Sequence, residues 1–303
     1  MTASDRFLIG VLLALVLGLL FHRQFPSVDA GGGRRPIVTM PPTPAPPSPQ
    51  AAAPAPPPML WRVRRPPLED PGARDPTFTV NTSPVHPASM LVGTAFSVDR
   101  RGVWLTARHV ASEVCQPLIM LVNGRAQPAT MAYLHPESDL AVLETRAGAP
   151  AMPFSADRPV VGDIGFSFGY PTGTLGATED TLMGRSRMQL AGRMVGATPT
   201  LTWAESQRFP ETLETLGGMS GGPMLDRDGR IVGTVVAATP RRGRVHTVAP
   251  ELLSQVGRET GLFDPTPRPR PAAEIVRPTG ELSTTATALN ESSRIAKVYC
   301  RIP

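Results

Sequence analysis

Two cysteines in 303 residues, Cys115 and Cys300, are too few for a metal site or a disulfide framework. They leave two states open: one bridge in an oxidising compartment, or two unpaired thiols. Aromatic residues make up only 5% of the chain and charged residues 18%, and no Lys/Arg stripe is interleaved with aromatics. The net charge of +5 is therefore read as an arginine-bearing, solvated surface, and nucleic acid is not expected as a partner. No cofactor and no metal are expected either. Proline, by contrast, is abundant. Its 36 residues must lie largely outside any packed domain.

The only long apolar run is FLIGVLLALVLGLLF, Phe7 to Phe21. It is shorter than the about 20 residues a comfortable membrane span takes. Residues 1–23 read as an uncleaved anchor or as a signal segment. Cleavage would use the small residues near Val28-Asp29-Ala30, but His22 and Arg23 separate these from the run, which favours the anchor. Arg23, Arg34 and Arg35 follow the run and only Arg6 precedes it, so a count of positive charge would keep the remainder inside. The position of the run at the extreme N-terminus argues for export instead. The expectation is a bacterial-type inner-membrane protein with a single span and a periplasmic domain; the alternative is a secreted protein. Residues 24–75 are proline-rich and read as a semi-rigid polyproline II linker. Residues 264–303 open with FDPTPRPRPAAEIVRPTG and are expected to form a proline-rich, mostly disordered tail.

Between these flanks, residues 76–263 alternate short apolar runs with turn residues: LVGTAFSV, GVWLTA, PLIMLVN, PATMAYLH, DLAVLET, VVGDIGFSFGY, GGPMLD, RIVGTVVAAT and VHTVAP. Many brief strands of this kind predict an all-β barrel or sandwich. ELLSQVGRETG is the one convincing helix, with Leu252, Leu253, Val256 and Leu262 at helical spacing and Gly261 near its end.

The stretch GGMSGGP, residues 217–223, places glycine on both sides of Ser220. Glycine is costly to order, so the cluster is either a flexible surface loop or a backbone that turns sharply and aims bare N–H groups at a bound atom. In the second case Ser220 needs a base and an acid from elsewhere in the chain. Of five histidines, His22 lies near the apolar run, His86 in the entry to the domain, and His135 and His246 beside strands without further cues. His109 follows VWLTA at a strand end, where a rigid support meets a turn. Asp139, in HPESDLAVLET, opens a strand and can accept the imidazole Nδ1–H. Asp99 and Asp163 are rivals, but both sit in turns, where aspartate commonly serves the backbone.

The segments GTAFSVDRRGVWLTARHV, SDLAVLE and GGMSGGP, in that order, resemble the signature segments of chymotrypsin-fold serine peptidases, and most closely the bacterial HtrA-like branch. VVGDIGFSFGYPTG and VHTVAPELL extend the resemblance from Gly93 to about Leu262. It implies a two-barrel fold with a C-terminal helix, and a serine endopeptidase acting on protein or peptide substrates through an acyl-enzyme. It makes His109 the general base, Asp139 its orienter and Ser220 the nucleophile, with the N–H groups of Gly218 and Ser220 as the oxyanion hole. A Cβ at Gly218 would hinder that hole. Glu214 is a candidate for the floor of a specificity pocket favouring Arg or Lys. The strand Val235, Val236, Ala237, Ala238 and Thr239 is the candidate for pairing with substrate backbone.

Two departures from the family accompany the resemblance. Met219 stands where trypsin has an aspartate that pairs with a newly cut N-terminus, which implies activity without zymogen cleavage. The proline-rich stretch after Phe263 leaves no room for the PDZ module that many HtrA relatives carry. The alternative from another class is a catalytically silent peptide-binding module on the same fold, tethered to a membrane.

Overall fold

The apolar runs close into two barrels. The structure, a computed structural model, describes residues 65–81, 89–112, 114–122, 124–191, 196–239, 242–267, 275–278 and 280–303. All lie in the compact unit Arg62–Pro303. The first barrel contains β2 (Met90–Asp99), β3 (Val103–Thr106), β4 (Leu118–Val122), β5 (Arg125–Leu134), β6 (Ala141–Thr145) and β13 (Ile295–Arg301), in the closed order β13-β2-β3-β6-β5-β4. The second contains β7 (Ile164–Gly169), β8 (Gly176–Leu190), β9 (Thr198–Phe209), β10 (Pro223–Leu225), β11 (Ile231–Thr239) and β12 (Arg244–Val248). Its order is β8-β7-β10-β11-β12-β9, closed by β8–β9 pairing, and β1 (Thr77–Val80) lies parallel to the far half of β8.

Alternation explains these strands. β4 reads LIMLV with its first, third and fifth residues buried. Period two sends alternate side chains to opposite faces, and one face fills the barrel. Trp104 and Trp203 are fully buried, and each spends its indole N–H on a threonine of its own barrel: Trp104 Nε1 donates to Thr145 Oγ1 at 2.8 Å, Trp203 Nε1 to Thr247 Oγ1 at 3.0 Å. The expected helix is present as α1 (Pro250–Thr260), with proline in its first turn and Gly261 at φ 63° closing it by an N–H bond to Gly257 O.

The expected disordered tail from 264 does not describe residues 282–301. These form α2 (Leu282–Glu291) and β13, so ordered structure is not confined to 76–263 and α1 is not the only helix. β13 pairs with both β2 and β4, filling the place without which the first barrel would have two open edges. The physical signal was there: Ala296, Val298 and Cys300 are fully buried and alternate with Lys297 and Tyr299. Leu282, Thr285, Ala286 and Leu289 make one buried helical face in α2. Cys115 and Cys300 form a disulfide across a sequence separation of 185, which closes the alternative of two free thiols. At the other end the domain begins before Pro76. Pro67 bridges Val160 and Leu68 N–H donates to Pro159 O at 2.8 Å, so part of the expected linker lies on the second barrel.

The expected anchor and most of the expected linker lie outside the described residues, as does His86. Among the described residues no helix is long and apolar enough to cross a membrane.

Because the bridge ties β13 to the loop after His109 over so long a loop, Cys300→Ala should cost about 2–5 kcal/mol of stability. Denaturant unfolding of the full chain under oxidising conditions checks this. The midpoint of the variant should match that of the reduced wild type.

Candidate active site

The site forms where the two barrels meet, at the ends of β2 and β3. His109 stands three residues beyond β3, in the turn that follows Thr106. Asp139 precedes β6 and is fully buried. Its two oxygens have separate tasks: Oδ1 accepts the backbone N–H of His109 at 2.9 Å, and Oδ2 lies 2.7 Å from His109 Nδ1. An ionised carboxylate only accepts, so Nδ1 carries the proton and the Nε2 edge is turned away from Asp139. Asp139 is itself held, its N–H donating to Thr198 Oγ1 at 3.0 Å, at the start of β9. Arg108 braces the loop before Asp139 by donating from Nη1 to the carbonyls of His135 and Pro136.

The rivals for the acid role take the turn positions expected of them. Asp99 Oδ1 accepts from Arg101 N–H at 2.8 Å, and Asp163 Oδ2 from Val160 N–H at 2.7 Å. His135 and His246 lie elsewhere. His246 stacks on Phe78 with ring centroids 4.0 Å apart, and burial pulls its pKa down to about 4.

Ser220 sits in the loop between Leu216 and β10, and the glycines around it are needed for close approach. Gly218 has φ 104°, and a Cβ there would fall 2.4 Å from Tyr170 O. Gly221 has φ 86°, and its Cβ would fall 2.0 Å from Thr94 O, 2.3 Å from Thr106 Oγ1 and 2.9 Å from Ala107 N. Neither position admits a side chain. The Ser220 loop therefore presses on the end of β3 and on Ala107, two residues before His109. The flexible-loop alternative fails, since each carbonyl from Leu216 to Ser220 accepts a hydrogen bond.

Met219 is fully buried among Leu182, Leu201, Leu216, Trp203, Met224, Val235 and Val245. An apolar side chain in this position needs no charged partner to settle the loop. Glu214, expected at a pocket floor, is instead exposed in the loop before Leu216. Val235 is tied to the nucleophile loop by two bonds: Gly221 N–H donates to Val235 O at 2.7 Å, and Val235 N–H to Gly222 O at 2.8 Å. Beyond it, residues 236–239 run past the last residue of β10 that β11 pairs with. Among the described residues only β12 pairs with them. The strand thus keeps an open edge beside Ser220.

Residues 93–233 match the family described as trypsin-like peptidase domain. The domain is similar to the serine endoprotease DegS of Escherichia coli K12, 31% identical over 146 residues, covering 47% of this chain and 38% of the relative. It is also similar to a probable periplasmic serine endoprotease, DegP-like, of Chlamydia pneumoniae, 29% identical over 157 residues, covering 50% of this chain and 30% of the relative. The chain thus spans about a third of the length of these curated relatives. Among solved structures, an inactive form of Rv3671c from M. tuberculosis H37Rv is 19% identical with a TM-score of 0.48, covering 59% of this chain and 89% of that one. The two barrels are the expected chymotrypsin-like fold. The silent-module alternative gains no support from these comparisons.

Sequence reasoning overlooked a buried acid in the second barrel. Asp180 Oδ2 accepts from Thr178 Oγ1 at 2.5 Å, while Oδ1 has no partner among the described residues. Burial pushes its pKa up to about 7, and the Glu205 and Glu179 carboxylates add to the rise, against the Thr178 hydroxyl and Arg208. The folded chain thus keeps a proton that the unfolded chain loses near 3.8. Its contribution to stability is complete below that value and is lost as pH rises toward about 7. Asp180→Asn should flatten the fall in stability of the peptidase domain across this window. Urea midpoints measured between pH 4 and 8 check it.

Proposed function

We propose that this trypsin-like peptidase domain is a serine endopeptidase that hydrolyses protein or peptide substrates through His109, Asp139 and Ser220. The observation that carries the reading is the fully buried Asp139 carboxylate, with both oxygens committed to His109, at the strand end on which the Ser220 loop packs. In this mechanism His109 Nε2 takes the proton of Ser220 Oγ as the oxygen attacks the scissile carbonyl. The resulting oxyanion is held by the N–H groups of Gly218 and Ser220. The C–N bond then breaks, and the leaving amine takes the proton from His109. Water, deprotonated by the same imidazole, releases the acyl group and restores Ser220. Asp139 stays ionised and stabilises the imidazolium at each step.

Substrate backbone adds as a strand along Val236, Ala237, Ala238 and Thr239, where β11 has an open edge. Met219 in the apolar core supports an oxyanion loop that is formed without cleavage of the chain upstream. The Cys115–Cys300 bridge supports an extracytoplasmic location, where disulfides persist. The periplasmic naming of the Chlamydia relative agrees with that location. Membrane tethering through Phe7 to Phe21 belongs to the same proposal.

A fluorophosphonate probe tests the chemistry directly. The full chain should be labelled, Ser220→Ala should not be, and Asp139→Asn should lower kcat by about 10⁴ because the imidazole loses its tautomer. A wild type that no such probe labels overturns the reading.

A further inference from the structure

The two N–H groups assigned to the oxyanion hole are aimed by the carbonyls on the other side of their own peptide planes. A planar trans peptide points its C=O and N–H in opposite directions, so fixing one fixes the other. Gly217 O accepts the N–H of Thr172 at 2.6 Å, which orients Gly218 N–H. Met219 O accepts the N–H of Gly222 at 2.8 Å, which orients Ser220 N–H. Between them the peptide joining Gly218 to Met219 is gripped at both ends: its N–H donates to Leu216 O at 3.0 Å, and Gly218 O accepts from Thr94 Oγ1 at 2.7 Å.

Thr94 is fully buried in β2, on the opposite barrel from the nucleophile loop, and uses every polar atom it has. Its hydroxyl has one hydrogen, and Gly218 O has none to give, so the direction of that bond is settled. The same oxygen accepts the N–H of Tyr170 at 3.1 Å. Its backbone N–H donates to Ser220 O at 2.9 Å, and its carbonyl accepts from Thr106 Oγ1 at 2.7 Å. Thr94 thus bonds by its side chain to a carbonyl within the segment from Gly217 to Ser220. Through Tyr170 it also anchors the turn whose Thr172 N–H holds Gly217 O. That turn is strained, with Thr172 at φ 52°, and so it needs anchoring.

We propose that Thr94 is a positioning residue for the oxyanion hole: one hydroxyl locks the peptide between Gly218 and Met219 directly and the Gly217–Gly218 peptide through Tyr170. This rests on the reading of Ser220 as the nucleophile. Thr94→Val keeps the shape of the side chain and removes the hydroxyl, leaving Gly218 O and Tyr170 N–H unpaired in a buried place. The hole should then lose its fixed orientation while the substrate strand at residues 236–239 stays intact.

The test compares Thr94→Val and Thr94→Ser with wild type in the full chain. Valine should lower kcat by about 10–100-fold with KM changed less than about threefold, and should weaken a peptide aldehyde, which forms the oxyanion, by the same factor as kcat/KM. Serine should restore all of these to within about threefold. Amide hydrogen exchange over residues 217–222 gives a readout independent of turnover: it should rise in the valine variant at Met219 and not in the serine variant. If the wild type is neither labelled nor active, the peptidase reading falls, and exchange still decides the role of Thr94. Valine with unchanged kcat, serine that fails to rescue, or exchange at Met219 that ignores the hydroxyl overturns the proposal.

Discussion

The structure depends on how closely one glycine-lined backbone can approach another chain segment. Gly221 lies so near Thr94 O and Thr106 Oγ1 that no Cβ fits, and Gly218 lies equally near Tyr170 O. That approach holds the Ser220 loop against β2 and the end of β3 in the other barrel. If the loop stood off by a single methyl group, the hydrogen bonds from Thr94 to Gly218 O and Ser220 O would be lost together. Glycine costs conformational entropy here and is retained because backbone proximity, not side-chain packing, makes the seam.

Each barrel lends the site a different kind of support. The first holds His109, with Asp139 immobilised between His109 and Thr198. The second holds the Ser220 loop, whose Met219 packs among Met224, Val235 and Trp203. The first barrel is complete only with β13, and β13 carries Lys297, whose Nζ lies 5.2 Å from the centre of the Tyr170 ring. Tyr170 in turn donates its hydroxyl to Asn290 Oδ1 of α2 at 2.8 Å. The segment farthest along the chain therefore braces the turn beside the nucleophile.

Much of this was legible in the sequence where apolar alternation coincides with a signature segment. His109, Asp139 and Ser220 were singled out from strand ends and a glycine cluster, and the Asp139 carboxylate is bonded to His109. β8 and β9 were overlooked because buried polar residues interrupt their apolar ones: Thr178, Asp180, Ser186, Thr198 and Thr200 are buried beside Leu182, Met188, Leu201 and Trp203, and Ser186 pairs with Thr200. No hydrophobic period marks such strands. β13 and α2 were hidden by the prolines before them, although IAKVYC alternates as a strand should. Spacing from Ser220 does not say which way a loop folds, and Glu214 is exposed. Thr94 was quoted within GTAFSV without a role, since a hydroxyl's importance depends on partners far away in sequence.

The place of β13 sets the order in which the two barrels can close. The barrel that carries His109 stays open along β2 and β4 until residues 295–301 have been synthesised and have threaded between them. The second barrel, with Ser220, needs no such late arrival from its own strands. During synthesis the barrel with Ser220 can therefore close while the barrel with His109 waits for β13.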